Sequence, residues 1–239
     1  MIRVDNLTIN KRTFKLGPIN MEIEEGYVYA ITGNSGSGKT LFLQTLLGGI
    51  FSEKNAITYD NLNFEDNEVD IKNLYSYVAD KPLFSDNLQV DEVVYKLHKL
   101  DKRFNIEKCF EFLSKNKVYR HKKIYELSQG EKKILLFSTG WNSHSESRLL
   151  VLDNPFSGVG LIARKEMLRL LRNYMDDDKT VIIVTEDPYI IQSLADYIIV
   201  FENGRVTLKE DVVELQARFN TTDIENILLC ILKGEEEND

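Results

Sequence analysis

The feature that most constrains this chain is the run Gly33-Asn34-Ser35-Gly36-Ser37-Gly38-Lys39-Thr40, which follows the apolar segment Tyr27–Thr32 and opens a segment carrying Leu41, Leu43, Leu46 and Leu47. Tyr27–Thr32 has little polar alternation, as expected of a strand covered on both faces. The leucine spacing behind the loop is helical. The eight residues match GxxxxGK[ST], and strand–loop–helix is the context that this pattern requires. Glycines let the backbone wrap closely around phosphates with its N–H groups turned inward. Lys39 is then placed for the β- and γ-phosphates, Thr40 for Mg²⁺, and the helix start adds a favourable dipole. A nucleotide phosphate is the expected ligand, and a phosphate-loop α/β core the expected fold.

A chain of 239 residues holds one large α/β domain with room for an inserted subdomain. Ile2–Ile9 and Ile19–Ile23 alternate as strands, and short strands are expected at Ala56–Phe64 and Leu74–Ala79. Val90, Val93, Val94, Leu97 and Leu100 have helical spacing, as do Ile106, Cys109, Phe110 and Leu113. A further helix is expected after Gly130. This stretch, about 86–142, is read as a helical subdomain inserted in a nucleotide-binding domain spanning 1–220. The α/β pattern then resumes with a strand at Leu149–Leu152, a helix at Leu161–Met175, a strand at Val181–Thr185 and a short helix at Asp187–Leu194. Tyr197–Leu208 reads as a hairpin around Asn203-Gly204, and 209–218 and 222–233 read as helices. Residues 221–239 form a C-terminal helix and an acidic tail. The stripe Ile224, Ile227, Leu228 and Ile231 is expected to pack on its own domain.

Charge and cysteine content exclude several classes. Thirty Lys and Arg against thirty-eight Asp and Glu give a net −8, without the basic clustering of a nucleic-acid reader. Cys109 and Cys230 form no disulfide framework, and with His98, His121 and His144 they form no zinc pattern. The longest apolar stretches, such as Leu41 to Phe51, are too short for a membrane span. A soluble, intracellular protein is expected.

Two further segments carry chemistry. Leu149-Leu150-Val151-Leu152-Asp153 is an apolar strand ending in the carboxylate that phosphate-loop proteins bring to magnesium. Leu127-Ser128-Gln129-Gly130-Glu131 precedes it and closely resembles the LSGGQ signature of ATP-binding-cassette (ABC) proteins. The order of the remaining segments also resembles that family. Tyr77–Pro82 stands in the place of the Q-loop, Ser157-Gly158 in that of the D-loop, and Val184-Thr185 before the switch position. The resemblance covers about residues 2–210. It implies an α/β ABC ATPase core with an antiparallel β-subdomain and an inserted helical subdomain, acting as the cytoplasmic ATP-binding subunit of a membrane transporter. It implies ATP and Mg²⁺, with Thr40, Asp153 and Asp80 toward the metal. It further implies head-to-tail pairing with a second cassette, whose ATP would meet Ser128 and Gly130, and Q-loop contact with a membrane-spanning subunit. The place implied is peripheral, on the inner face of the cell membrane. The other reading is a soluble ABC-type nucleotide switch in translation or nucleic-acid maintenance.

Departures from the family pattern fall on the catalytic positions. The family's water-polarising Glu is Asn154, its switch His is Glu186, its Q-loop Gln is Asp80 and its D-loop Asp is Gly160. An amide orients water but cannot take its proton, which forfeits general-base assistance of roughly 10²–10⁴-fold. A carboxylate at 186 facing the γ-phosphate must turn away, take up a proton or find a cation. Weak intrinsic hydrolysis is therefore expected, and a catalytically intact heterodimer partner. Ungapped comparison puts Asn10 at the adenine-stacking position, with Phe14 as a shifted candidate.

Overall fold

The computed structural model describes residues 1–50, 56–142, 147–175 and 179–233. His144 and the acidic tail lie outside the described residues. By contact density the chain divides into two units, Met1–Lys72 with Thr180–Asp239, and Asn73–Lys179.

The first unit contains two sheets. In one, β1 (Ile2–Lys11) pairs antiparallel with β2 (Phe14–Ile23) from Ile2↔Ile23 to Lys11↔Phe14, and β4 (Ile57–Tyr59) lines the other edge of β1. Alternate residues such as Ile2, Val4, Ile19, Met21 and Ile23 are buried, the two-residue period expected of a one-faced sheet. In the other, β3 (Val28–Thr32) lies between two parallel partners, β7 (Thr180–Val184) and β8 (Tyr197–Glu202). All five residues of β3 and of β7 are buried, which accounts for their unbroken apolar runs. β8 turns at Asn203-Gly204, both at positive φ, into antiparallel β9 (Arg205–Asp211). Helix α1 (Lys39–Leu46) follows β3 through the glycine loop.

Two expectations fail here. Ala56–Phe64 is not one strand, because β4 stops at Tyr59 and Asp60 and Asn61 turn the chain at positive φ. Helix α2 (Phe64–Leu74) begins there, with Asn63 Oδ1 accepting the Asp66 amide at 2.9 Å. Only Ile71 of α2 is buried, so no apolar stripe announced it. The second failure is the helix expected from 209. β9 runs on to Asp211, and α8 (Val212–Arg218) starts only after it. Lys209, Glu210 and Asp211 are charges on an edge strand, where they blunt strand-to-strand association. Helices α7 (Pro188–Leu194) and α9 (Ile224–Lys233) pack together, and of the expected stripe Ile224, Ile227 and Leu228 are buried while Ile231 is half-buried.

The second unit pairs β5 (Tyr75–Val78) in parallel with β6 (Leu149–Asp153). The unit also holds α3 (Val90–Leu100), α4 (Ile106–Lys115), α5 (Gln129–Trp141) and α6 (Leu161–Met175), with α3 and α4 packed on α5. Helix α5 packs closely on β5. A Cβ added at Gly140 would stand 2.5 Å from the Tyr77 carbonyl oxygen and 2.6 Å from Val78 Cγ2.

Candidate functional site

The glycine loop is shaped by backbone conformations that side chains resist. Gly33, Gly36 and Gly38 have φ of 134°, 80° and 108°. At Gly33 an added Cβ would also meet the Phe201 carbonyl oxygen at 2.1 Å, so the loop is pressed against β8. The β8–β9 turn supports it from behind, with the Gly204 amide donating to Ser37 O at 2.9 Å. Helix α1 starts at Gly38 without a side-chain cap, so its first-turn N–H groups face the loop's opening. Thr40 is exposed in that first turn, as are Asn34, Ser35 and Gly36 in the loop. Such a cradle fits a phosphate.

Lys39 is buried and folds back over the loop. Its Nζ donates to Gly33 O at 2.5 Å and Asn34 O at 2.9 Å, with Ser37 Oγ at 3.5 Å. Glu186 Oε1 stands 3.1 Å from the same nitrogen. The strands explain this meeting: β7 pairs with β3 as far as Ile31↔Val184, and the Thr185 amide donates to Ile31 O at 3.1 Å. Glu186 therefore leaves the sheet at the level where the glycine loop begins. Of the three outcomes open to a carboxylate at 186, the one realised is a cation, and the cation is the loop lysine itself.

The two candidates for the adenine-stacking position lie in different surroundings. Phe14 is half-buried, and its Cζ lies 3.1 Å from the place of a Cβ on Gly38. Asn10 is exposed and pairs with Lys15 in the β1–β2 ladder.

In the second unit, Asp153 ends β6 and is buried. Asn154 follows at φ 47°, a left-handed conformation that Asn tolerates better than most residues. Its carbonyl oxygen accepts from Lys133 Nζ at 2.7 Å, and the same ammonium holds Asp80 Oδ1 at 2.5 Å. Burial first, and then the nearby charges of Asp153 and Asp80, push the Tyr77 phenol up to about 12. Lys133 is thus the cation in an acid-rich corner, and sequence reasoning missed it. The available signal was a lysine at the head of the apolar run Ile134–Phe137 of α5.

The signature-like segment caps that helix. Ser128 Oγ accepts from the Glu131 amide at 3.2 Å, while Glu131 Oε2 accepts from the Ser128 amide at 2.8 Å. Glu131 also meets Lys122 Nζ at 2.8 Å. Partial burial opposes its charge, but the Lys122 and Ser128 hydrogen bonds hold its carboxyl below the usual range. Gly130 permits a close approach, since an added Cβ would stand 2.6 Å from Gly158 O in the D-loop position.

The ABC transporter family model matches residues 16–157, more than half of the chain. The chain belongs to the ABC transporter family. It is a nucleotide-binding cassette, and a sulfate/thiosulfate import ATP-binding protein of Vibrio cholerae is 26% identical to it over 231 residues, 92% of this chain. The cassette spans 61% of that relative's length. The energy-coupling factor transporter ATP-binding protein EcfA2 of Clostridium perfringens is 26% identical over 242 residues, covering 93% of this chain and 84% of the relative. Its fold is that of a solved ATP-binding subunit of an ABC transporter, at a TM-score of 0.82 and 16% identity over 96% of this chain and 98% of the other. Among the described residues no helix is long and apolar enough to cross a membrane.

Proposed function

We propose that this cassette is the ATP-binding subunit of a membrane ABC transporter, that it binds MgATP, and that its own hydrolytic residues are impaired. The observation that carries the reading is the glycine loop with Lys39 folded into it, closed from behind by the β8–β9 turn. The named relatives favour transport over a soluble switch in translation or nucleic-acid maintenance.

The residues divide the work. Loop amides and Lys39 hold the β- and γ-phosphates. Phe14, beside Gly38, offers the adenine a face that Asn10 lacks. Thr40 and Asp153 are the hydroxyl and carboxylate that a phosphate-bound Mg²⁺ takes, and the metal supplies neutralisation of charge on the transferring phosphoryl. Asp80 is a weaker candidate, because its carboxylate is already held by Lys133. Asn154 can orient a water without taking its proton. Ser128 and Gly130, at the start of α5, face the nucleotide of a second cassette in a head-to-tail pair. Since this chain keeps the signature and lacks the base, the partner is a different cassette with an intact base. A membrane-spanning subunit holds the pair peripherally at the inner face of the membrane.

Purification from detergent extract tests the reading. Co-purification of a polytopic membrane protein and a second cassette is expected, whereas ribosomes or DNA would overturn it.

A further inference from the structure

We infer that Glu186 is a carboxylate latch on Lys39 that sets the cassette's discrimination between nucleoside diphosphate and triphosphate. The inference rests on the phosphate-loop reading and deepens it.

An ammonium group has three protons to donate. Around Lys39 Nζ, three oxygens lie within 3.1 Å: Gly33 O, Asn34 O and Glu186 Oε1. Its donors are thus fully committed, and a phosphate oxygen gains one only by displacing an acceptor. Gly33 O and Asn34 O belong to the loop backbone and move only if the loop does. Glu186 is the displaceable partner. Its side chain is 59% exposed, against 8% for Lys39, so it swings into solvent without disturbing the core.

The two nucleotides place different demands on this lysine. In the phosphate-loop pattern the lysine reaches both β- and γ-phosphates. A diphosphate presents only the first, which the loop's backbone N–H groups already cradle, so Lys39 can keep all three of its acceptors, Glu186 among them. A triphosphate brings a second anion to the same ammonium, where it repels the carboxylate and must break the Lys39–Glu186 pair to enter. Glu186 therefore penalises the triphosphate selectively. A neutral residue at 186 removes that penalty.

The test is calorimetric titration of the full chain with Mg²⁺ and either ADP or a non-hydrolysable ATP analogue, comparing the unaltered protein with Glu186→Gln. Only the Glu186 end of the pair is exposed, and the pair is worth a modest amount, so the expected gain in analogue affinity is about fivefold, with ADP affinity changed by less than about 1.5-fold. Raising NaCl from about 50 to about 500 mM should shift the analogue-to-ADP ratio toward the analogue in the unaltered chain more than in Glu186→Gln, because only the former has a pair to screen. A ratio that moves by less than about threefold on substitution overturns the latch while leaving nucleotide binding intact. Equal gains for both nucleotides overturn it as well. No binding of either nucleotide by either protein overturns the phosphate-loop reading itself, and the latch with it.

Discussion

The Lys133 ammonium lies 2.5 Å from Asp80 Oδ1 and 2.7 Å from the carbonyl oxygen of Asn154, so one buried cation ties the Q-loop position to the residue at the general-base position. Lys133 is 11% exposed and Asp80 35%, which lets water screen the carboxylate in part. Lys133→Met should therefore cost about 1–3 kcal/mol in urea denaturation, less than loss of a fully buried pair. Adding Asp80→Asn should recover part of that loss, because the orphaned charge goes with it. Additive losses in the double variant would contradict a coupled pair.

Lys39→Ala should weaken MgATP binding by about two orders of magnitude or more, since it removes a charge-assisted contact to the phosphates. Calorimetric titration measures this directly. The fold should survive, because the loop remains anchored to Phe201 and Gly204.

Turnover by the isolated chain should fall well below about 1 s⁻¹ for want of a base at 154. Asn154→Glu combined with Glu186→His should raise it, as a phosphate-release assay would show. The first change also has a structural cost. Residue 154 sits at φ 47°, and Glu there should lower stability by about 1 kcal/mol relative to Asn.

Gly140→Ala should destabilise the protein by about 1–3 kcal/mol, because its methyl group meets the Tyr77 carbonyl oxygen and Val78 across the α5–β5 contact. Thermal unfolding checks this, and a neutral effect would mean that the helix shifts freely on the strand.

In the assembled transporter, Ser128→Arg should abolish most hydrolysis, while Asn154→Ala should change it little. Ser128→Ala is the control, since it removes the α5 cap at a cost of about 1 kcal/mol without adding bulk. Steady-state hydrolysis by the purified complex separates the cases. The reverse pattern would place the working site on this chain.

Much of the fold was legible where a signal is local. Leu161–Met175 shows an amphipathic period and is a helix with those bounds. The strand expected at Val181–Thr185 is found one residue earlier, at Thr180–Val184, and its apolar run Val181–Val184 is fully buried. The misses have a common cause: α2 buries one residue of eleven, and the end of β9 is an edge strand carrying charge, so neither shows the period of its own structure.

By itself the sequence determined the glycine loop and its lysine, because backbone freedom, a cation and a helix start within eight residues specify that geometry locally. It also determined which catalytic positions depart from the family pattern. The tertiary structure decided which groups the departing side chains meet. Glu186 finds Lys39 across 147 positions of sequence and Lys133 finds Asp80 across 53. The parallel register of β3 with β7 makes the first meeting, and the position of Lys133 on α5 makes the second. Phe14 stands beside Gly38 where the β8–β9 turn meets both segments, since Gly204 lies against Phe14 and its amide donates to Ser37 O. Such contacts are set by strand register and helix packing over long separations, and no local spacing of residues encodes them.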